Sequence, residues 1–152
     1  MRGVSGLVVV QVPHFGQRFF VYQVVDQRTD AFAEIGSMYG TRIGYYLIAG
    51  PDWKGTLPKG IAQVFRSPTN IAYLIPRVFT ENTPEDKAEV QKLASFILSY
   101  PLSKYDRIPK QRDWTKLPKT PAQAEGAEET KWVKPEQFAD MLPVVLDRKS
   151  VV

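Results

Sequence analysis

The sequence predicts an α+β fold with a mainly antiparallel β-sheet core, one amphipathic helix, a long proline-rich connector and a short C-terminal helix. Two patterns support this prediction. The first half of the chain contains short runs of β-branched and aromatic residues separated by turn residues, which is typical of strands. Residues 83–98 instead repeat apolar side chains at helical spacing, after which proline and lysine become frequent.

Short apolar runs predict the strands of the core. They are rich in valine, isoleucine, phenylalanine and tyrosine. The predicted strands cover residues 6–12, 18–25, 45–49, 61–65 and 71–79. Pro76 restricts the last strand to an edge or a bulge, because proline has no N–H to donate to a neighbouring strand. Residues 26–35 are predicted to form a short helical segment, since Phe32 and Ile35 lie three positions apart.

A helix is predicted over residues 84–99. Thr83 is a good N-cap, Pro84 suits the first helical position, and the acidic residues that follow complement the helix dipole. One face is apolar and consists of Val90, Leu93, Ala94, Ile97 and Leu98. Residues 1–102 are therefore expected to form the β-rich core together with this helix.

The rest of the chain divides into further segments. Residues 103–134 are rich in proline and lysine and predict an extended connector. Residues 135–146 predict a terminal helix. The last segment, residues 147–152, reads DRKSVV, which is the translation of a common sequencing adapter, so we expect these residues to be an artefact and not part of the fold.

The composition excludes several classes of protein. The net charge is +4, but basic and acidic residues are interspersed, whereas a nucleic-acid-binding surface clusters its lysines and arginines. The chain has no cysteine and a single histidine, which excludes thiolate chemistry and a histidine-based metal site. No apolar run reaches the ~18 residues of a transmembrane helix. We therefore expect no cofactor, no metal, no nucleic acid and no membrane span.

Three motifs make the chain resemble a known family. Residues 50–58 read GPDWKGTLP, residues 66–70 read RSPTN, and residues 132–138 read WVKPEQF. The chain is similar to domain of unknown function 1254 over residues 6–146. The resemblance implies a bacterial cell-envelope protein, located in the periplasm or envelope.

The resemblance also implies a longer protein. In this family the domain usually follows a signal peptide and an N-terminal segment, and it usually precedes domain of unknown function 1214. The chain carries neither flank, so we expect it to be truncated at both ends. The missing C-terminal domain is then its natural partner. An isolated piece of this kind would expose sheet edges, and we expect it to self-associate.

Charged residues beside the strands suggest a ligand site. Arg18, Asp26, Arg66 and Arg77 are the candidates, because arginine binds carboxylate or phosphate through two parallel hydrogen bonds. The alternative is structural ion pairing, such as Arg18 or Arg66 with Asp26, which is common at strand ends. This alternative is favoured, since no phosphate-binding glycine loop accompanies the arginines.

Two loops supply further candidates. Asp52 and Trp53 form an aromatic-plus-acid pair that can bind a sugar, although Trp53 can equally cap the core. Asn70 closes the second motif and can bind a ligand or stabilise a turn. His14 lies in a Pro-x-Phe-Gly turn and is expected to be an exposed turn residue.

The sequence leaves three functions open. The preferred one is a non-enzymatic envelope module that packs against another domain and binds a small polar or anionic ligand. The second is half of a hydrolase that acts on a polar or anionic substrate, a sugar or phosphate, at an interdomain cleft. The third is a piece with no independent function. No complete catalytic set is present in the sequence, so the catalytic residues stay unknown.

Overall fold

The computed structural model describes residues 6–117 together with Ala139, Asp140 and Pro143. Within it, Met1–Arg112 forms one compact unit and Asp113–Val152 a second. The first unit contains the strands and the helix. These are β1 (Leu7–Val12), β2 (Phe20–Asp26), β3 (Ala31–Gly36), β4 (Gly44–Ala49), β5 (Ile61–Arg66), β6 (Ala72–Val78), α1 (Pro84–Ala94) and β7 (Leu98–Pro101).

The strands form two sheets, and the predicted α+β class is confirmed. The first sheet has the order β5-β4-β1-β7 and the second has the order β3-β2-β6. All neighbouring strands are antiparallel except β4 and β5. Pro76 lies in β6, an edge strand of the second sheet, as its missing N–H predicts.

The two sheets pack face to face as a sandwich. Their shared core contains side chains from β1, β2, β3, β4 and β5, and Leu93 and Ile97 pack against it. Phe15, Phe20 and Tyr22 form aromatic contacts within this core, with the rings of Phe15 and Phe20 stacked at 4.3 Å between centroids.

A second apolar cluster covers the other face of the first sheet. It is built on Val9 and Leu47, with Tyr100 of β7 and side chains from the loops packed around them. The first sheet is thus covered on both faces, which explains why β1 reads as an almost continuous apolar run. The second sheet has one exposed face, and Tyr73 and Ile75 of β6 are exposed on it.

The segment between β4 and β5 is a crossover and not a tight turn. Parallel pairing of these strands requires the chain to return along the sheet before β5 begins at Ile61. Trp53 in this crossover packs against the second apolar cluster. The glycines and prolines of the GPDWKGTLP motif therefore shape the return path, and its tryptophan attaches that path to the sheet.

The prediction of a helical segment at residues 26–35 is wrong. The chain turns at Asp26 and then forms β3 from Ala31 to Gly36. The buried Asp26 carboxylate accepts N–H bonds from Arg28 and Asp30 at 2.8 and 3.0 Å. Thr29 adopts φ 70° in this turn. The side-chain hydrogen bonds of the aspartate, together with pairing to β2, outweigh the weak helical spacing.

Helix α1 starts where predicted and ends earlier. The Asp86 N–H donates to the Thr83 hydroxyl at 3.2 Å, so Thr83 is the N-cap. The helix ends at Ala94, whereas the prediction extended it to residue 99. Residues 98–101 form β7 instead, because Leu98 and Tyr100 are buried on alternate positions against β1. Of the apolar residues predicted for the helix beyond Ala94, Leu98 thus belongs to a strand, and Ile97 precedes it and packs against the shared core.

The predicted connector begins inside the first unit. Residues 103–112 remain attached to the sandwich, and the Arg112 N–H donates to the Ser95 carbonyl at 2.8 Å. In the second unit, Trp114–Lys116 form a 3-10 turn. Residues 118–134 lie outside the described residues, as do residues 147–152. Of the predicted helix 135–146, the described positions Ala139, Asp140 and Pro143 are helical.

One buried glutamine connects distant parts of the chain. Gln11 on β1 is only 3% exposed. Its side-chain N–H groups donate to the carbonyls of Phe96 and Lys110, both at 2.7 Å. Its side-chain oxygen accepts the Lys110 N–H at 2.8 Å. Strand β1 is thereby hydrogen-bonded to the segment that precedes β7 and to the segment that follows it.

We expect Gln11→Leu to lower the free energy of unfolding by about 2–4 kcal/mol, because it leaves backbone groups of Phe96 and Lys110 unpaired in a largely buried place. Urea unfolding monitored by tryptophan fluorescence measures this change. Gln23→Leu is the matched control, since Gln23 is exposed on β2. It should change stability by no more than about 0.5 kcal/mol. Equal effects of the two substitutions would contradict the role of Gln11.

Candidate functional site

The residues predicted to form a site lie at opposite ends of the sandwich. At one end, Asp26 closes β2, and the Gln27 N–H donates to the Thr69 hydroxyl at 3.0 Å. The same end holds Arg66, the last residue of β5, and the loops that carry Asp52, Trp53 and Asn70. Arg18 precedes β2 at the other end, and Arg77 is exposed on β6. The structure therefore does not bring Arg18 together with Asp52, Trp53 and Arg66.

Arg66 is bound to Trp53. Its guanidinium donates a hydrogen bond to the Trp53 carbonyl and lies 5.3 Å from the centre of the indole ring. This cation–π contact fixes the crossover against the end of β5. Asp52 is exposed beside this contact. The arginine thus stabilises the loop with the tryptophan and does not pair with Asp26.

Asn70 borders a cavity at the same end. The cavity has a volume of about 530 Å³ and opens between β6 and the first sheet. Its wall includes Gly6, Gly50 and Tyr73. Asp26 is not part of this wall, because its carboxylate caps the turn before β3. The sequence-predicted residues of this end therefore act mainly in loop structure.

Arg18 joins a charged cluster at the opposite end. Its guanidinium forms ion pairs with Asp86 and Glu89 of helix α1, the second at 2.8 Å. The expected ion pairing of Arg18 exists, but its partners are on the helix and Asp26 is not one of them. The hydrogen bond from Arg18 lowers the pKa of the Asp86 carboxyl, and the Glu81 N–H and Thr80 hydroxyl lower it further.

This cluster lies in a groove with a volume of about 830 Å³. Its wall is formed by His14, Phe15, Gly16, Gln17, Arg18, Phe19, Phe79, Glu81, Asp86, Glu89 and Leu93. We call this surface the acidic groove, because its carboxylates outnumber its guanidinium. An anion placed here would meet carboxylates already bound to Arg18, so the groove disfavours anionic ligands.

Exposed aromatic rings border the acidic groove. Phe19 is 51% exposed and Phe79 is 59% exposed. The two residues are neighbours, since the Phe79 N–H donates to the Phe19 carbonyl at 2.8 Å. Glu89 remains largely exposed although Arg18 binds it. The groove therefore combines apolar ring surface with open carboxylate oxygens.

His14 is an exposed turn residue, as predicted. Its Nδ1 accepts the Gly16 N–H at 3.2 Å, which places the ring proton of the neutral imidazole on Nε2. It lines the acidic groove and also a second, mainly apolar pocket of about 510 Å³. The wall of this apolar pocket consists of Gln11, Val12, Pro13, His14, Ile43, Gly44, Tyr45, Leu93, Phe96, Arg107 and Pro109.

A comparison with protein families identifies the chain. The model of the family described as protein of unknown function DUF1254 matches residues 4–101. The chain belongs to the DUF1254 family. The match spans β1 to β7 and includes every residue that lines the acidic groove. Arg107 and Pro109 of the apolar pocket lie beyond the matched residues.

A solved structure shares the fold of this DUF1254 chain. It is the VPA0106 protein of Vibrio parahaemolyticus, which is 18% identical with a TM-score of 0.62. The similarity covers 97% of this chain and 40% of that protein, so the chain spans less than half of its length. The curated proteins yield no match to the chain.

Within the described residues, no helix is long and apolar enough to cross a bilayer. In the same part of the chain, histidine and acidic side chains do not gather into a metal-binding group. Sequence reasoning missed Phe19, Phe79, Glu89 and Arg107 as residues that line hollows. The available signal for the first two was their place at the ends of the predicted strands 18–25 and 71–79, where side chains can border a groove.

We expect the free energy of unfolding to depend less on pH in Asp86→Asn than in the wild type, over the acid range. The pKa of Asp86 is lower in the folded chain than its unfolded value, so its contribution is present above about pH 4 and is lost as the pH falls below that. Wild type should be more stable near neutral pH, and the two proteins should converge near about pH 2. Urea unfolding over this range measures the difference.

Arg18→Gln should similarly reduce this dependence on pH, because it removes the first cause of the lowered pKa of Asp86. Combining both substitutions should add little to either one. An unchanged pH profile in Asp86→Asn would contradict the ion pair.

Proposed function

We propose that this domain is a non-enzymatic packing and ligand-binding module of a longer bacterial cell-envelope protein, and that its ligand is a small, neutral polyhydroxylated molecule. The observation that carries the proposal is the acidic groove, where exposed phenylalanine rings border open carboxylates. Aromatic faces pack on the C–H surface of a sugar, and carboxylates accept its hydroxyl hydrogen bonds.

The charge of the groove narrows the ligand class. Arg18 is bound to Asp86 and Glu89, so it offers little to a phosphate or carboxylate. Glu81 and Glu89 are exposed and accept hydrogen bonds without needing a charged partner. His14 adds an Nε2–H donor beside them. Within the polar or anionic class, a neutral sugar therefore suits the acidic groove better than an anion.

The location and the partner are parts of the same proposal. Membership in the DUF1254 family supports a periplasmic or envelope location through the resemblance described above. The 40% coverage of the VPA0106 protein supports a role as one part of a longer chain. The exposed Tyr73 and Ile75 on the outer face of the second sheet are a surface against which a further domain can pack.

Half of a hydrolase is the second candidate. The observation in its favour is His14, an imidazole in the wall of the acidic groove with its Nδ1 already oriented by the Gly16 N–H. Hydrolysis would need a nucleophile or a second acid supplied by the rest of a longer protein. Turnover of an aryl glycoside by the longer protein, lost in His14→Gln, would favour this candidate over the binding module.

The binding proposal predicts that a neutral monosaccharide shifts the amide resonances of Phe19, Phe79 and Glu89 in a titration followed by nuclear magnetic resonance. Phe79→Ala should weaken this binding about fivefold to tenfold, because a stacked ring contributes about 1 kcal/mol. Tyr73→Ala is the matched control, as Tyr73 is an exposed aromatic away from the groove. A saturable titration with the same sugar affinity in Phe79→Ala as in the wild type would contradict the proposal.

The packing proposal predicts different behaviour for the chain alone and for the longer natural protein. The chain alone should self-associate in sedimentation at micromolar concentration, because strands β3, β5, β6 and β7 leave open sheet edges. It should also unfold at a lower temperature than the longer protein. A monodisperse monomer with an unchanged unfolding temperature would contradict the packing role.

A further inference from the structure

The apolar pocket differs in character from the acidic groove. Its wall is largely hydrocarbon and includes Val12, Ile43, Leu93 and Phe96. Its volume of about 510 Å³ lies within the range of small-molecule sites, which is about 300–1,000 Å³. A hollow of this size and chemistry favours the apolar body of a ligand.

Most polar groups in the wall are already occupied or covered. The side chain of Gln11 uses all of its hydrogen-bonding groups on Phe96 and Lys110. The Tyr45 hydroxyl is buried and has no hydrogen-bond partner among the described residues, and the Tyr45 ring packs edge-on against Tyr105 with 5.1 Å between centroids. The remaining polar side chains of the wall are those of His14 and Arg107. A ligand in this pocket would therefore place its polar group at these two.

Arg107 is held in place by its surroundings. Its backbone adopts φ 68°, which is uncommon for a residue with a side chain. Its Cγ and Cδ lie 3.3 and 3.2 Å from the position that a Cβ on Gly60 would take, so Gly60 makes room for the arginine stem. The left-handed backbone is energetically costly, and the arginine stem occupies the space that the missing side chain of Gly60 leaves open, so the fold positions this side chain.

The guanidinium of Arg107 has no ion-pair partner among residues 6–117. The adjacent carboxylate of Asp106 is already bound by Lys110 at 2.9 Å and by the Ile108 N–H at 3.1 Å. An exposed arginine in the wall of an apolar pocket, without an ion-pair partner among the described residues, can bind a carboxylate supplied by a ligand.

We propose that the apolar pocket binds an amphipathic monocarboxylate, with the carboxylate on Arg107 and the hydrocarbon body between Ile43 and Phe96. The Nε2–H of His14 is the second donor at the rim. The hydrocarbon body is either an aliphatic chain or an aromatic ring system, and both would use the same arginine. This inference rests on the pocket alone and does not depend on sugar binding in the acidic groove.

Titration calorimetry on the full chain tests the proposal with octanoate, naphthoate, 1-octanol and acetate as probes. Octanoate or naphthoate should bind at least about tenfold more tightly than 1-octanol, because only the acids form a charge-assisted bond to Arg107. Acetate should bind much more weakly than octanoate, because it lacks the apolar body. The tighter of the two acids identifies the hydrocarbon body as a chain or a ring.

Substitutions locate the binding. Arg107→Gln should reduce octanoate affinity about tenfold and leave 1-octanol unchanged. Arg107→Gly should also reduce octanoate affinity about tenfold. Glycine adopts the left-handed backbone of residue 107 without strain, so weaker binding by this variant does not reflect unfolding. Ile43→Glu adds a carboxylate to the wall at an exposed position and should abolish octanoate binding. Arg28→Gln, an exposed arginine in the turn before β3, is the matched control and should change nothing.

Certain results would overturn the inference. They are equal affinities for octanoate and 1-octanol, octanoate affinity unchanged in Arg107→Gln, or no heat of binding for either acid at millimolar concentration.

Discussion

The buried amide of Gln11 is the interaction on which the rest of the structure depends. It lies near the end of β1, an inner strand of the first sheet, and its partners are 85 and 99 positions away in the chain. Burying an amide is unfavourable unless each of its groups is paired, and here each group is paired with backbone. One side chain thus fixes the approach to β7 and also the segment that carries Arg107. The walls of the apolar pocket follow from that constraint.

Helix α1 is attached to the second sheet by ion pairs. Arg18 precedes β2 and binds Asp86 and Glu89, so the charged end of α1 is held to the start of the second sheet. Leu93 and Ile97 secure the other side by packing on the shared core. The acidic groove is the space that these contacts leave between the helix and the β1–β2 turn. Its carboxylates serve structure and, in our proposal, ligand binding.

Much of the fold could be predicted from local sequence. The runs that form β1, β2, β4, β5 and β6, the N-cap Thr83 and the edge position of Pro76 all follow from local chemistry. β7 could not be predicted, because Leu98 and Tyr100 continue a helical pattern and become strand only through pairing with β1. The site was poorly predicted for the same reason. Arg18 and Asp86 are far apart in sequence, and Arg107 lies in a segment that reads as solvated connector.

The pairing of the first strand with the last has a consequence during synthesis. β1 is made before the other described strands, but its β7 edge stays open until residues 98–101 leave the ribosome. Until then, an unusually apolar strand presents unpaired N–H and C=O groups to other chains. Closure over so long a loop is also slow, because most of the chain must be ordered first. The nascent protein therefore needs protection along that edge for nearly the whole time that this domain is being made.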